Sequence, residues 1–352
     1  MNLTFPNNNS IPAVRRPVLE VSFGSGNADD WKQAIVSLTV EIGLVPTVDV
    51  VEIQLSALDQ APVVAVDDAG SVSLGYEDSS PNLVFTGQVE TVHYTIDGTT
   101  RISATNGGAS LAKLRVNQSY EQQKAGDIVN DLVGRVGVGT ETIQDGINFP
   151  FYVIDDRLSA YRHIAELARK SGYLAFFSPE GNLNFAPFAA GQTVQTFTYG
   201  VDILSLQLIE ATPILGTVTT TGEGAAGSQG QEAWNWLVKD PSSVKRSAGN
   251  GEPQREVQDA SLRSSDAVQN AADGIANSAG LMKFIGRLLV PGASAVTVAS
   301  AIEIVDAPQE VLNGLCPVHR VRHRFSKREG FTTLIEFSKT DGGGFGGLGG
   351  FL

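Results

Sequence analysis

The sequence predicts a β-rich α+β fold, because strand patterns occupy both ends of the chain and helical patterns are confined to its middle and one later segment. Runs of β-branched and aromatic residues bounded by turn residues fill residues 18–106, as is typical of antiparallel strands. Apolar residues then recur at helical spacing within residues 119–187. The chain has 352 residues, 42% of them hydrophobic, which is enough for two or three lobes with their own cores.

The first region contains a predicted β-hairpin. Residues 92–96 and 99–102 are strand-like and flank Asp97 and Gly98, a pair that supplies the positive φ angles of a tight hairpin turn. The predicted strands of this region are 18–23, 35–42, 50–58, 71–74, 84–96 and 99–105.

Two helices and a hairpin predict a small α/β lobe over residues 119–187. The first helix covers residues 125–136, with Asp127 in its first turn. The second covers residues 158–168, with Gly172 placed to end it in a left-handed cap. A hairpin follows, with its turn at residues 178–181.

The last region returns to strands and carries two unusual segments. Strands are predicted over 197–221, 296–305, 318–325 and 331–337, with a helix over 264–282. A Gly-, Ser- and Ala-rich loop over 222–255 contains Trp234 and Trp236, and loops of that length are usually functional or disordered. The glycine-rich tail, 341–352, cannot build a core alone because glycine loses the most backbone entropy on ordering.

Composition excludes several classes of protein. The formal charge of −13 opposes binding to nucleic acid or anionic lipid. Cys316 is the only cysteine, so we expect no disulfide, no thiolate metal cluster, and folding in a reducing cytoplasm. The N-terminus lacks a secretory pattern, and the run 288–305 is interrupted by Pro291 and Glu303, so neither export by that route nor a membrane anchor is predicted.

Catalytic and cofactor motifs are scarce, so we predict no enzymatic activity, no cofactor and no metal. The sequence has no phosphate loop with its lysine, no dinucleotide fingerprint and no nucleophile elbow. His319 and His323 lie in a strand-like run rich in cations that oppose a divalent ion. The adjacent acidic pairs at 67–68, 77–78 and 155–156 are better explained by turns and helix capping.

Six residues are predicted to mediate contacts with other proteins. Two aromatic side chains in the long loop favour a subunit interface, although they could also stack on a sugar. Four apolar residues in the tail are spaced by glycines and are interpreted as docking residues, with an unstructured tail as the alternative. These residues are Trp234, Trp236, Phe345, Leu348, Phe351 and Leu352.

Four blocks in order resemble the phage late control protein D and baseplate hub family, which is shared with contractile injection systems and with the hub part of type VI spike proteins. They cover a strand, glycine, strand and hairpin unit over 84–104, a helix over 126–132, a helix followed by an aromatic strand and a hairpin over 161–185, and a closing hairpin over 321–334. The helix and hairpin of 161–185 form the most specific block.

This resemblance implies two tube-protein-like β-barrel domains, at 1–118 and 191–340, with the small α/β insert at 119–190. It implies a homotrimeric ring that adapts a sixfold tail tube to a threefold spike. Its implied partners are the tail tube protein, a separate spike protein, and baseplate wedge or LysM-type baseplate proteins. Assembly would take place in the cytoplasm, and the finished chain would lie in the baseplate of a tail or injection particle.

A second hypothesis, from another class, is a secreted glycan-binding or cell-wall-degrading protein in which Trp234 and Trp236 contact sugar. The absence of a secretory pattern and of a separated pair of carboxylates counts against it.

Overall fold

The structure, a computed structural model, describes residues 15–57, 62–188, 193–212, 214–223, 244–281 and 283–339. The first region contains the following elements: β1 (Pro17–Val21), α1 (Ala28–Ala34), β2 (Ile35–Gly43), β3 (Val50–Leu55), β4 (Ala69–Tyr76), β5 (Asn82–Tyr94) and β6 (Thr100–Thr105). The middle region contains these: α2 (Gly108–Lys113), β7 (Gln118–Lys124), α3 (Ala125–Gly134), β8 (Thr140–Ile143), β9 (Asn148–Ile154), α4 (Ala160–Ser171), β10 (Leu174–Phe177) and β11 (Leu183–Ala186).

The last region begins with β12 (Thr193–Thr198), β13 (Ser205–Glu210) and β14 (Thr217–Thr221). It continues with β15 (Lys245–Gly249), β16 (Gln254–Gln258), α5 (Ser265–Leu281), β17 (Phe284–Pro291), β18 (Ala301–Val305), a single 3-10 turn (Glu310–Leu312), β19 (Gly314–Ser326) and β20 (Gly330–Lys339). The predicted β-rich α+β fold class is confirmed.

One large sheet joins strands from both ends of the chain. Its ten-strand path runs β1-β4-β5-β6-β3-β2-β19-β20-β17-β13; β18 also pairs with β19, and β12 pairs with β18. The two halves meet where β2 pairs antiparallel with β19, placing Val40 opposite His323 and Leu38 opposite Phe325. These four side chains are buried, and the apolar side chains of both halves form one continuous core that includes Trp31 of α1.

A second core lies beside the sheet. Apolar side chains of α3, α4, β9 and β11 pack together with Leu262 and with Val268 of α5. Strands β14, β15 and β16 form a separate three-stranded sheet against the other side of α5. Helix α5 therefore connects the middle region to the small sheet of the last region.

The predicted β5–β6 hairpin is present, but its predicted turn geometry was wrong, and so was the loop predicted over 222–255. At the β5–β6 hairpin only Gly98 has a positive φ, of 81°, and the backbone N–H of Thr95 donates to the carbonyl of Thr99. A turn closed by one left-handed glycine replaces the predicted pair of positive φ angles. The predicted loop 222–255 also contains strand β15. Ala248 is the one buried residue of this strand, so its sequence lacks the alternation of apolar and polar residues that would have indicated a strand.

Helices α4 and α5 touch backbone to backbone at two glycines. A Cβ built on Gly274 would lie 2.7 Å from the carbonyl oxygen of Arg169 and 2.9 Å from the Cα of Gly172. We expect Gly274→Ala to lower the free energy of unfolding by about 1–3 kcal/mol, because the helices must move apart. Gly280→Ala in the same helix meets nothing within 4 Å and is expected to be neutral or stabilising by up to about 1 kcal/mol. Urea unfolding of both variants measures the difference, and equal effects would contradict it.

Candidate functional site

The large sheet has an open edge at each end of its path. Among the described residues, β1 pairs with β4 alone and β13 pairs with β17 alone. An open edge presents unpaired backbone N–H and C=O groups, which another strand can bind. Strand β13 carries neither lysine nor proline, the residues that commonly protect such an edge.

Exposed apolar side chains are concentrated around β13. Leu204 and Ile209 are 59% and 65% exposed, and Ile285, opposite Ile209 in the pairing with β17, is 42% exposed. Tyr199 and Val201, on the turn before β13, are also exposed. We call these five residues and the free edge of β13 the β13 surface. Exposed apolar groups of this kind mark contact sites in soluble proteins.

Charged side chains occupy the face of the sheet that points away from the core, where β17, β20, β19 and β2 run side by side. The Nε atom of Arg287 donates to Glu336 at 3.1 Å. The Nε of Arg322 lies 2.6 Å from the Oε1 of Glu41, without the alignment of a hydrogen bond. These pairs are partly solvated, so each contributes little to stability. They make this face of the sheet polar, unlike an apolar contact surface.

A buried carboxyl lies where the large sheet meets the middle region. Asp49, which directly precedes β3, accepts hydrogen bonds from the N–H of Gly43 at 2.9 Å and from the Nδ2 of Asn106 at 2.7 Å. The same β2–β3 loop contacts the middle region, because the hydroxyl of Tyr161 donates to the carbonyl of Thr47 at 2.8 Å. Burial raises the pKa of Asp49 to about 8, against the lowering effect of the Gly43 N–H.

The histidines do not form a metal or catalytic group. His323 is fully buried, its Nδ1 lies 3.0 Å from the hydroxyl of Thr333, and burial lowers its pKa to about 4. The Nε2 of His319 lies 2.7 Å from the hydroxyl of Ser338. The described residues contain no group of three or more His, Cys, Asp or Glu side chains arranged to hold a metal ion.

The adjacent acidic pairs take part in turns and ion pairs. Asp155 accepts the backbone N–H of Arg157, Asp68 accepts that of Ala65, and Asp78 binds the guanidinium of Arg15. These contacts do not bring any two of the three aspartates together as a general acid and base. Within the described part of the chain, no helix has the length and apolar character needed to cross a bilayer.

The structure tests none of the six predicted contact residues. Trp234, Trp236, Phe345, Leu348, Phe351 and Leu352 lie outside the described residues. The β13 surface was not predicted, although the run Ser205–Glu210 offered a signal in having no lysine and no proline. Asp49 gave no sequence signal, because a single aspartate before a strand is an ordinary turn residue.

A family model and several solved structures match the chain. The model described as the Alg8 N-terminal domain matches residues 69–327. No curated protein matches the sequence significantly. A 43 kDa tail protein of prophage MuSo2 from Shewanella oneidensis matches with a TM-score of 0.68 and 13% identity, covering 91% of this chain and 98% of its own. A tail protein from Neisseria meningitidis matches with a TM-score of 0.70 and 12% identity, covering 92% and 97%.

A secretion protein shares the fold as well. An Escherichia coli component of the type VI secretion system, itself described as structurally similar to the T4 bacteriophage tail proteins gp27 and gp5, matches with a TM-score of 0.61 and 10% identity. That match covers 92% of this chain and 77% of the other. The chain therefore has the fold found in phage tail proteins and in a type VI secretion component.

Proposed function

This chain belongs to the family of Alg8 N-terminal domains, and we propose that it is the hub of a contractile tail or injection machine. In this role three copies form a ring that adapts a sixfold tail tube to a threefold spike. The shared fold of tail proteins supports a structural role associated with a tail. The same neighbours support a location in the particle and a role that is not enzymatic.

The observation that carries this proposal is the large sheet, both ends of which lack a partner strand among the described residues. The edge of β13, with its exposed apolar side chains, lies at one end of the strand path and the edge of β1 at the other. Pairing of β13 in one copy with β1 in the next is a heterologous contact, which generates a closed ring when the rotation between copies is one third of a turn. Each contact also covers apolar surface that a monomer leaves in water.

In this proposal, the two half-sheets of each chain explain how a ring of three copies meets a sixfold tail tube. Strands β1 to β6 form one half and β13, β17, β19 and β20 the other, joined through β2 and β19. Three chains then supply six half-sheets, so one side of the ring offers six approximately equivalent positions to a tail tube. We propose that the halves correspond to two tube-like domains, at 1–118 and 191–340, with the insert at 119–190 on the outside.

The proposed partners follow from this position. The tail tube protein would stack on one side of the ring, a separate spike protein would bind on the other, and baseplate wedge or LysM-type proteins would bind the periphery. The tail 341–352, with Phe345, Leu348, Phe351 and Leu352, is proposed to fasten the spike, and Trp234 and Trp236 to contact a neighbouring subunit. A chain of a Francisella PdpA-VgrG complex has a similar fold, which supports a partner within such a complex.

Mass photometry and electron microscopy of the purified protein, and microscopy of particles that contain it, test the proposal. We expect a species of three times 37.2 kDa and rings with a central hole. A single copy per particle, or a closed dimer, would contradict the hub role.

A further inference from the structure

The junction between the large sheet and the middle region contains a cavity of about 210 Å³. Asp49 and Asn106 line it from the side of the sheet, and Phe176, Phe177 and Ser178 line it from β10 and the turn that follows. Two exposed carboxylates, Glu141 and Glu180, also belong to its lining. The cavity is therefore acidic, with aromatic walls.

Its size restricts what it can hold. A water molecule occupies about 30 Å³ of liquid, so the cavity has room for a group of several non-hydrogen atoms. Pockets for drug-sized ligands measure about 300–1,000 Å³, which excludes a nucleotide or a sugar chain. One small planar group fits.

Two polar groups of the cavity have hydrogen-bonding capacity that is not used. Each oxygen of Asp49 accepts one hydrogen bond and keeps a free lone pair, and none of the ion pairs among the described residues includes this carboxyl. The hydroxyl of Ser178 is shielded from solvent and has no hydrogen-bond partner among the described residues. When Asp49 is ionised, its carboxylate therefore has no cation beside it.

We propose that this cavity binds a guanidinium group. Guanidinium is planar and donates five N–H bonds, and it can stack on an aromatic ring, of which Phe176 in the lining is a candidate. It has two plausible sources, a free small cation and the arginine side chain of another protein of the particle. The exposed Glu141 and Glu180 would attract it in either case. This inference does not depend on the hub role.

The proposal predicts that the affinity for guanidinium depends on pH, because binding is coupled to the ionisation of Asp49. Because burial raises the pKa of Asp49 to about 8, guanidinium binds fully only after that carboxyl loses its proton. Of the other titratable groups near Asp49, Glu141 of β8 and Glu180 of the β10–β11 turn belong to the lining, and Tyr161 of α4 interacts with the charge of Asp49. Burial raises the pKa of Tyr161, and both glutamates are exposed. Affinity should therefore rise about tenfold between pH 7 and pH 9, as the ionised fraction of Asp49 increases.

Isothermal titration with methylguanidinium chloride, at constant ionic strength, tests the proposal. We expect a dissociation constant of the order of 1 mM at pH 9, within the limit for so small a ligand. Asp49→Asn should weaken binding at least tenfold and abolish the pH dependence, and Glu141→Gln should weaken it about threefold. Glu121→Gln removes an exposed carboxylate from β7 and should change neither quantity.

N-acetylarginine amide distinguishes the two sources. Binding as tight as that of methylguanidinium means that the cavity admits a side chain from another protein, whereas binding of methylguanidinium alone indicates a free cation. If neither probe binds to the wild type at pH 9, or if affinity is equal at pH 7 and pH 9, the proposal is wrong. The wild-type pH series and Glu141→Gln keep the test decisive even if Asp49→Asn fails to fold.

Discussion

Ile209→Lys is expected to convert the proposed trimer into monomers at concentrations where the wild type is fully assembled. Ile209 lies on the edge strand β13, is 65% exposed, and faces the same side as Ile285 of β17. Burying an isoleucine at a contact contributes about 1.5–3 kcal/mol, so its loss weakens each contact by roughly 10- to 150-fold. A closed ring of three copies has three such contacts, and lysine on an edge strand also opposes strand pairing. Sedimentation velocity over a range of concentrations measures the effect.

Val153→Lys is the matched control for this change. Val153 is an exposed β-branched residue of a strand, 56% exposed, but it lies on β9 in the middle region, away from both free edges of the large sheet. The same gain of charge there should leave assembly unchanged. Equal dissociation of the two variants would mean that lysine disrupts assembly through net charge alone. A stable Ile209→Lys trimer would exclude the β13 surface from the interface.

The elements with local signals could be predicted from the sequence. Helix α4 combines a cap, Ser159, whose hydroxyl accepts the N–H of Arg162, with Gly172 at a φ of 68° at its other end. The residues that begin and end this helix, and the apolar stripe between them, lie within one short segment of sequence. The helix could therefore be predicted without reference to distant residues. The β10–β11 hairpin was predicted for the same reason, whereas the β19–β20 hairpin was implied by the family resemblance.

Long-range pairing could not be predicted in this way. The contact of β2 with β19 joins residues from opposite ends of the chain, and nothing local in Val40 or His323 specifies the partner strand. Whether β13 is central or at an edge depends on which strands pair, so the exposure of Ile209 followed only from the structure. The environment of Asp49 likewise depends on Asn106 and on the distant Tyr161.

The pair formed by Lys170 and Asp259 links α4 to the segment before α5, and its loss should be costly. The Nζ of Lys170 lies 2.7 Å from the Oδ2 of Asp259, and the two side chains are only 12% and 19% exposed. Asp259 also accepts the backbone N–H of Ser261 at 3.0 Å and its hydroxyl at 2.6 Å. Lys170→Met leaves this carboxylate without its cation in a poorly solvated place. We expect the free energy of unfolding to fall by about 2–4 kcal/mol at neutral pH.

Arg169→Met provides the control one residue away. Arg169 pairs with Glu166 at 2.7 Å on the same helix, but these side chains are 38% and 44% exposed. Water screens such a pair, so its removal should cost less than about 1 kcal/mol. Both substitutions place methionine in α4, so the difference between them isolates the partly buried ion pair from helix propensity.

The pH dependence separates the ion pair with Asp259 from the other contacts of the lysine side chain. Burial raises the pKa of Asp259, but Lys170 and Ser261 outweigh it and hold that pKa below its usual range. A carboxyl with a lowered folded-state pKa contributes stability that is present above about pH 4, the unfolded value, and is lost as the pH falls through the folded value. In Lys170→Met the burial remains without the cation, so the wild type and the variant should differ most above pH 5. The difference should shrink as the pH falls below 4, as urea unfolding at a series of pH values would measure. A difference that stays constant from pH 7 to pH 3 would mean that Lys170 stabilises this junction through contacts other than Asp259, such as the ring of Tyr152, whose centroid lies 5.1 Å from the Nζ of Lys170.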